Sequence, residues 1–154
     1  MGATADISPA IIETLYGEAL DLADAARAAF DLSGRLDEVG RGGELARIAL
    51  SSEALRTTTR MMHAIAWLLN QRAFFNGELS EFQLRRNGRL PPPQPEGDPD
   101  QLRLLEPELQ FLVARTKGFY ARIGRLDAAW RKHFAMEPSA VERLRQRIGE
   151  RMGV

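Results

Sequence analysis

Along most of this chain, apolar residues recur at alternating spacings of three and four. That is the period of one face of an α-helix, and no stretch shows the spacing of two expected of a half-buried strand. A first helix is predicted from Ser8-Pro9, a capping residue followed by proline at the first helical position, to about Ser33-Gly34. Its seam is Ile12, Leu15, Ala19, Leu22, Ala26 and Ala29, rich in alanines that let a neighbouring helix approach closely. Residues 34–43 form a glycine-rich connection. A second helix is predicted from about Glu44 to Asn76, with Gly77 as its C-terminal cap. Leu45, Ile48, Ser52, Leu55, Thr59, Met62, Ala66, Leu69 and Ala73 keep the helical spacing throughout it and are expected to be its core seam. Ser80 is placed to cap one short helix over 81–86. The proline-rich residues 91–99 read as a surface loop or plain linker. A third long helix is expected over 105–134, with the seam Leu105, Leu109, Leu112, Thr116, Phe119, Ile123, Leu126 and Trp130. Beyond Pro138, Val141, Leu144, Ile148 and Met152 give an amphipathic tail helix ringed by Arg143, Arg145, Arg147 and Arg151.

The expected architecture is therefore all-α, an antiparallel three-helix bundle with a short extra C-terminal helix. The bundle domain would span 8–135, with its proline-rich loop at 91–99, and the amphipathic basic tail 136–154.

The second helix carries more apolar surface than one seam accounts for. Met61, Leu68 and Phe75 fall roughly opposite the seam at seven-residue intervals, with Trp67 and Phe74 beside them. A helix that is apolar all round must be covered all round. Either it is the central helix wrapped by the rest of the chain, or its second face is an isologous dimer interface, the commonest closed symmetry. The sequence reading prefers the dimer, with Met61, Leu68, Phe75 and Trp67 as the candidate interface.

Composition sharpens this picture mainly by exclusion. The 154 residues fit one domain and include no cysteine, so there is no disulfide framework, thiolate nucleophile or cysteine metal site. That suits a cytoplasmic location, and the N-terminus shows no signal-peptide pattern. No apolar run approaches the roughly 20 residues of a membrane span. The formal net charge is zero but unevenly spread: residues 1–40 hold 2 basic and 8 acidic groups, residues 41–90 hold 8 and 4, and residues 91–154 hold 11 and 9. A zero total argues against nucleic-acid binding as the main task.

The search for chemistry finds little. His63 and His133, the only histidines, stand far apart in sequence without a third ligand, so no metal site is indicated. Gly40-Arg41-Gly42-Gly43 lacks the lysine of a phosphate loop. No catalytic residue and no cofactor is implied. The charged residues that stand out are Arg56, Arg60, Gln71 and Arg72, which with Trp67 make the arginine-plus-aromatic composition enriched at interface hot spots. They form the candidate partner surface.

The run Glu53-x-x-Arg56-x-Thr58-Thr59-Arg60-Met61-Met62, then Trp67-Leu68-Leu69-x-Gln71-Arg72-Ala73 and Gly77-Glu78, resembles the RcdA family, the alphaproteobacterial regulators of CtrA degradation. Leu109-x-x-Leu112-x-x-Arg115, with Tyr120-x-Arg122-Ile123-x-Arg125-Leu126-Asp127, is similar to that family's last core helix. The likeness covers about residues 10–130 and leaves out the proline segment and the tail. It implies a homodimeric, non-enzymatic adaptor for the ClpXP protease. Such an adaptor works with a response-regulator partner on ClpX and brings cell-cycle transcription regulators, its protein cargo, to be degraded. The alternative is a helical DNA-associated regulator using residues 109–151, where 10 basic groups face 4 acidic ones. A third class, a small-ligand bundle, would need a buried polar pocket that the sequence does not show.

Overall fold

The computed structural model describes residues 7–37, 43–136 and 140–153, and among them every regular element is a helix. In chain order these are α1 (Pro9–Asp37), α2 (Gly43–Phe75), α3 (Glu81–Asn87), α4 (Pro99–Arg103), α5 (Pro107–Met136) and α6 (Ala140–Arg151). Most of the glycine-rich connection, residues 38–42, and the expected helix start at Pro138 lie outside the described residues, as do the side chains of His133 and Val141.

The local signals act as the sequence suggests. Ser8 Oγ accepts a hydrogen bond from the Ile11 amide at 3.2 Å, which satisfies one of the orphan donors at the start of α1. Gly77 takes a left-handed φ of 79°, and the Glu78 amide turns back to the Ala73 carbonyl at 2.8 Å, closing α2. Ser80 and Gln83 form a reciprocal capping box at the head of α3. The helix α4, capped by Asp98, was not expected; Pro99 at its first position makes it possible.

α1, α2 and α5 pack on one another around a single main core. The seams of α1 and α5 face inward: Ile12, Leu15, Ala19, Leu22, Leu112, Phe119 and Ile123 are all buried. The direction of α5 differs from the expected up-down-up order. Arg60 meets Thr116 and Trp67 meets Asp127, so contacts advance along α2 and α5 together and these two helices run parallel. α5 is antiparallel to α1, since Arg122 pairs with Glu18, while Leu105 and Leu109 pack with Ala29 and Phe30 at the other end. The return is made by residues 88–98, which at about 3.3 Å per residue can span roughly 35 Å. The proline-rich segment is thus no free linker. Leu90 is buried against the core, and Tyr120 donates a 2.5 Å hydrogen bond to the Pro91 carbonyl.

The largest departure concerns α2, which turns the opposite way to its expected orientation. Met61, Trp67 and Leu68, expected at a dimer interface, are 3%, 2% and 0% exposed within one copy, and the half-buried Phe75 packs against the same core. The stripe that seemed to need a second chain is filled by α1 and α5 of its own. The expected seam faces out: Leu55 and Met62 are 69% and 64% exposed, with Leu45, Ile48 and Leu69 also in solvent. The deciding partners come from other helices. The indole Nε1 of Trp67 donates to Asp127 Oδ1 at 2.9 Å, and Arg60 donates to Thr116 Oγ1 at 2.9 Å. The competing face offers large apolar groups but no such polar complement.

Candidate functional site

Two features stand out on the finished fold, an uncovered apolar face and a polar pocket, and α2 supplies part of both. The face is the outward seam. Written as heptads, its d positions are Ile48, Leu55, Met62 and Leu69, and its a positions after Leu45 are Ser52, Thr59, Ala66 and Ala73. Large residues therefore alternate with small ones along four heptads. Beside it, a groove of about 350 Å³ between α1 and α2 is floored by Ala23, Ala26, Phe30, Met61 and Ile65 and shares Met62 with the seam. Monomeric proteins seldom leave so long an apolar stripe in water.

The pocket lies where α2, α5 and the 91–97 segment meet. Its volume is about 210 Å³, and its walls include Glu53, Arg56, Arg60 and His63 of α2, Lys117 and Tyr120 of α5, and Gln94. Glu53 is buried, and its Oε1 accepts from Arg56 at 3.1 Å. Gly97 lies directly over this ion pair, where a Cβ would press on the Arg56 guanidinium and the Glu53 carboxylate and make these side-chain ends shift. Arg60 is buried too; burial pulls its guanidinium below the ordinary arginine value, with the charge of Glu53 opposing. Burial likewise raises the Tyr120 hydroxyl above 10, the charge of Arg60 opposing and that of Asp127 adding to the rise.

An unfolded tyrosine ionises near pH 10 while the folded one holds its proton to higher pH, so stability falls as pH rises from 10 through the folded value. The melting temperature of the native chain is therefore expected to drop more between pH 9.5 and 11 than that of Tyr120→Phe, which cannot ionise. Equal drops would mean that the buried hydroxyl does not titrate with unfolding.

The four polar candidates do not form one surface. Arg56 and Arg60 line the pocket together. Gln71 is sealed in the core, with neither polar side-chain atom reached by a protein partner. Arg72 sits toward α1, where its Nε pairs with Glu13 at 2.7 Å and its guanidinium lies 5.2 Å from the centre of the Tyr16 ring. Glu53, Thr57, Gln94, Lys117 and Tyr120 are not among the candidates read from the sequence, although a local ion pair of Glu53 with Arg56 or Arg60 is one reading of it, and the Arg56 pair forms. A signal for part of this was present: Glu53, Thr57, Arg60, Ala64, Trp67 and Gln71 also alternate by four and three. A polar group repeating on the period of the core marks a buried network as readily as a solvated flank.

The family model described as "Protein of unknown function (DUF1465)" matches residues 3–152, nearly the whole chain. The chain belongs to this family. No curated protein and no solved structure matches it. In this DUF1465 member, no helix among the described residues is long and apolar enough to cross a membrane.

Proposed function

We propose that this protein is a homodimeric interaction scaffold, a non-enzymatic adaptor in ClpXP-dependent proteolysis of cell-cycle transcription regulators. The observation that carries the dimer is the outward seam of α2. In an antiparallel pair of helices, an a position of one packs in a layer with a d position of the other. A two-fold axis crossing α2 near residues 60–61 would set Ile48 against Ala73, Leu55 against Ala66, Met62 against Thr59 and Leu69 against Ser52 of a second copy. Every layer then joins one large and one small side chain, the complementarity that lets knobs fill holes. A parallel pair would stack large on large and small on small. The same face is therefore self-complementary under the symmetry most homodimers use.

The adaptor role rests on the resemblance to the RcdA family and on this surface chemistry. Delivery needs no catalytic group, only separate surfaces that raise the local concentration of cargo at the protease. With the seam given to the second copy, the acidic exposed side of α1 (Glu13, Glu18, Asp21, Asp24) and the basic α6 remain as electrostatically distinct faces, which favour selectivity more than affinity. On the alternative DNA-binding surface, Arg122 is paired with Glu18 and Arg131 with Asp127, so two of its cations are already engaged. In a reconstituted ClpXP degradation assay with a response-regulator partner, adding this protein is expected to speed turnover of a cell-cycle regulator at least several-fold. An unchanged rate across candidate cargoes would remove the adaptor role while leaving the dimer to its own test.

A further inference from the structure

The pocket under the 91–97 segment stands apart from the α2 seam and holds a charge arrangement that the fold itself does not complete. Arg60 is buried, yet its guanidinium meets hydroxyls rather than a carboxylate: Nη1 donates to Thr116 Oγ1 at 2.9 Å and lies 3.5 Å from Thr57 Oγ1. Among the described residues no carboxylate comes within ion-pair distance of it. The nearby buried carboxylate, Glu53, gives one oxygen to Arg56, and no protein donor reaches its Oε2. Gln94 Oε1, in the same wall, is a second buried acceptor that no protein donor reaches. Burying charge without a direct partner is costly, and although the charge of Glu53 acts on Arg60 across the pocket, no carboxylate hydrogen-bonds the guanidinium and Glu53 Oε2 is left without a donor, so that cost is only partly relieved.

Simple collapse does not resolve the mismatch. Lys117, partly exposed, adds another cation and the exposed Glu96 another carboxylate, so the pocket presents cationic donors and orphaned buried acceptors at once. A plain anion would satisfy the first set and leave the second unmet, while a plain cation would do the reverse. At about 210 Å³ the cavity lies below the roughly 300–1,000 Å³ of sites for drug-sized ligands. It suits a molecule of few heavy atoms carrying both kinds of group.

We propose that this pocket binds a small molecule bearing a carboxylate and an N–H donor a few bonds apart, the chemistry of an α-amino acid or of the C-terminal residue of a peptide. The carboxylate goes to Arg60 and Lys117, and the N–H donor to Glu53 Oε2 and Gln94 Oε1. Arg60 is the anchor because its Nη1 is already held by Thr116 before the ligand arrives, which lowers the ordering cost of binding.

The test is an amide ¹H–¹⁵N titration of the full chain with L-alanine, L-glutamate and L-arginine. Acetylglycylglycine, its C-terminal amide and sodium acetate are run in parallel. Expected are shifts centred on Glu53, Arg60, Gln94 and Lys117, saturating with a free amino acid or with acetylglycylglycine, and an affinity about tenfold lower in Lys117→Met, whose side chain sits at the rim and not in the core. Binding of free amino acids alone identifies a metabolite as the source; binding of acetylglycylglycine but not its amide identifies a chain terminus. Three results would each overturn the proposal: no probe shifts the pocket at 10 mM, acetate matches the best probe, or Lys117→Met binds as well as the native chain. In any of these cases the pocket is a hydrated cleft or a plain anion site.

Discussion

Trp67→Ala is expected to lower the unfolding free energy by about 3–5 kcal/mol, the range for removing a large aromatic from a packed core. Trp67 is among the largest side chains buried here, at 2% exposure between α1 and α5. Truncation leaves a cavity and also strips Asp127 of its indole donor. The Asp127 carboxylate is buried and would keep only the Arg131 guanidinium, at 3.2–3.3 Å. An orphaned polar group adds its own penalty, so the loss is expected in the upper part of that range. Urea denaturation followed by circular dichroism measures it. The same experiment separates the two readings of this stripe: were Trp67, Met61 and Leu68 at an interface, the variant would lose dimerisation and keep the fold of each copy. Near-native stability with a changed oligomeric state would overturn the placement of α2.

The second large effect concerns the opposite face. In size-exclusion chromatography with light scattering, the native chain is expected to run as a dimer at micromolar concentration. The double variant Leu55→Arg, Met62→Arg is expected to run as a monomer of unchanged helicity. Both residues stand more than half exposed in one copy, so arginine costs the isolated fold little. In the antiparallel pair each substitution occurs twice. Four buried side chains worth about 1.5–3 kcal/mol apiece are lost, and four guanidiniums are forced against apolar layers. At about 1.4 kcal/mol per tenfold, dimer affinity should fall at least a thousandfold. A native chain that is cleanly monomeric, or a double variant that stays dimeric, would rule out the seam as the interface. Together the two experiments test both faces of one helix, and each has an outcome that the other cannot mimic.

Much of the helical organisation was legible from spacing alone. The seams of α1 and α5 could be read correctly because on each of those helices only one side carries a continuous apolar stripe, Ile11, Leu20 and Phe111 being isolated exceptions in solvent. The caps at Ser8, Gly77 and Ser80 could be read because they depend on a few residues in sequence contact. α2 could not be oriented this way. It carries two stripes, Leu45-Ile48-Leu55-Met62-Leu69 and Met61-Trp67-Leu68-Phe75, and periodicity is equally satisfied by burying either. The direction of α5 was hidden for a related reason. A connection of some thirty residues can return the chain to either end of the bundle, and the local code of residues 76–106 specifies turns and caps without fixing where they dock.

The polar pocket was the least legible feature. Glu53 and Arg56 on α2, Lys117 and Tyr120 on α5, and Gln94 in the proline-rich segment are separated by up to 67 positions, and nothing local links them. Their meeting depends on α2 and α5 running parallel and on the segment lying over the Glu53–Arg56 pair, with Gly97 directly above it.

By itself, then, the sequence determined which stretches form the long helices and α3, where most of them start and stop, and that α2 has one apolar face too many. Those are matters of hydrogen-bond caps and of a 3.6-residue period, which act over a single turn or helix. The tertiary structure alone decided which face of α2 is core, because that choice turns on Asp127 and Thr116 arriving from another helix to satisfy Trp67 and Arg60. Burial of polar groups is settled by partners distant in sequence, and the seam left outside is what remains for a second copy.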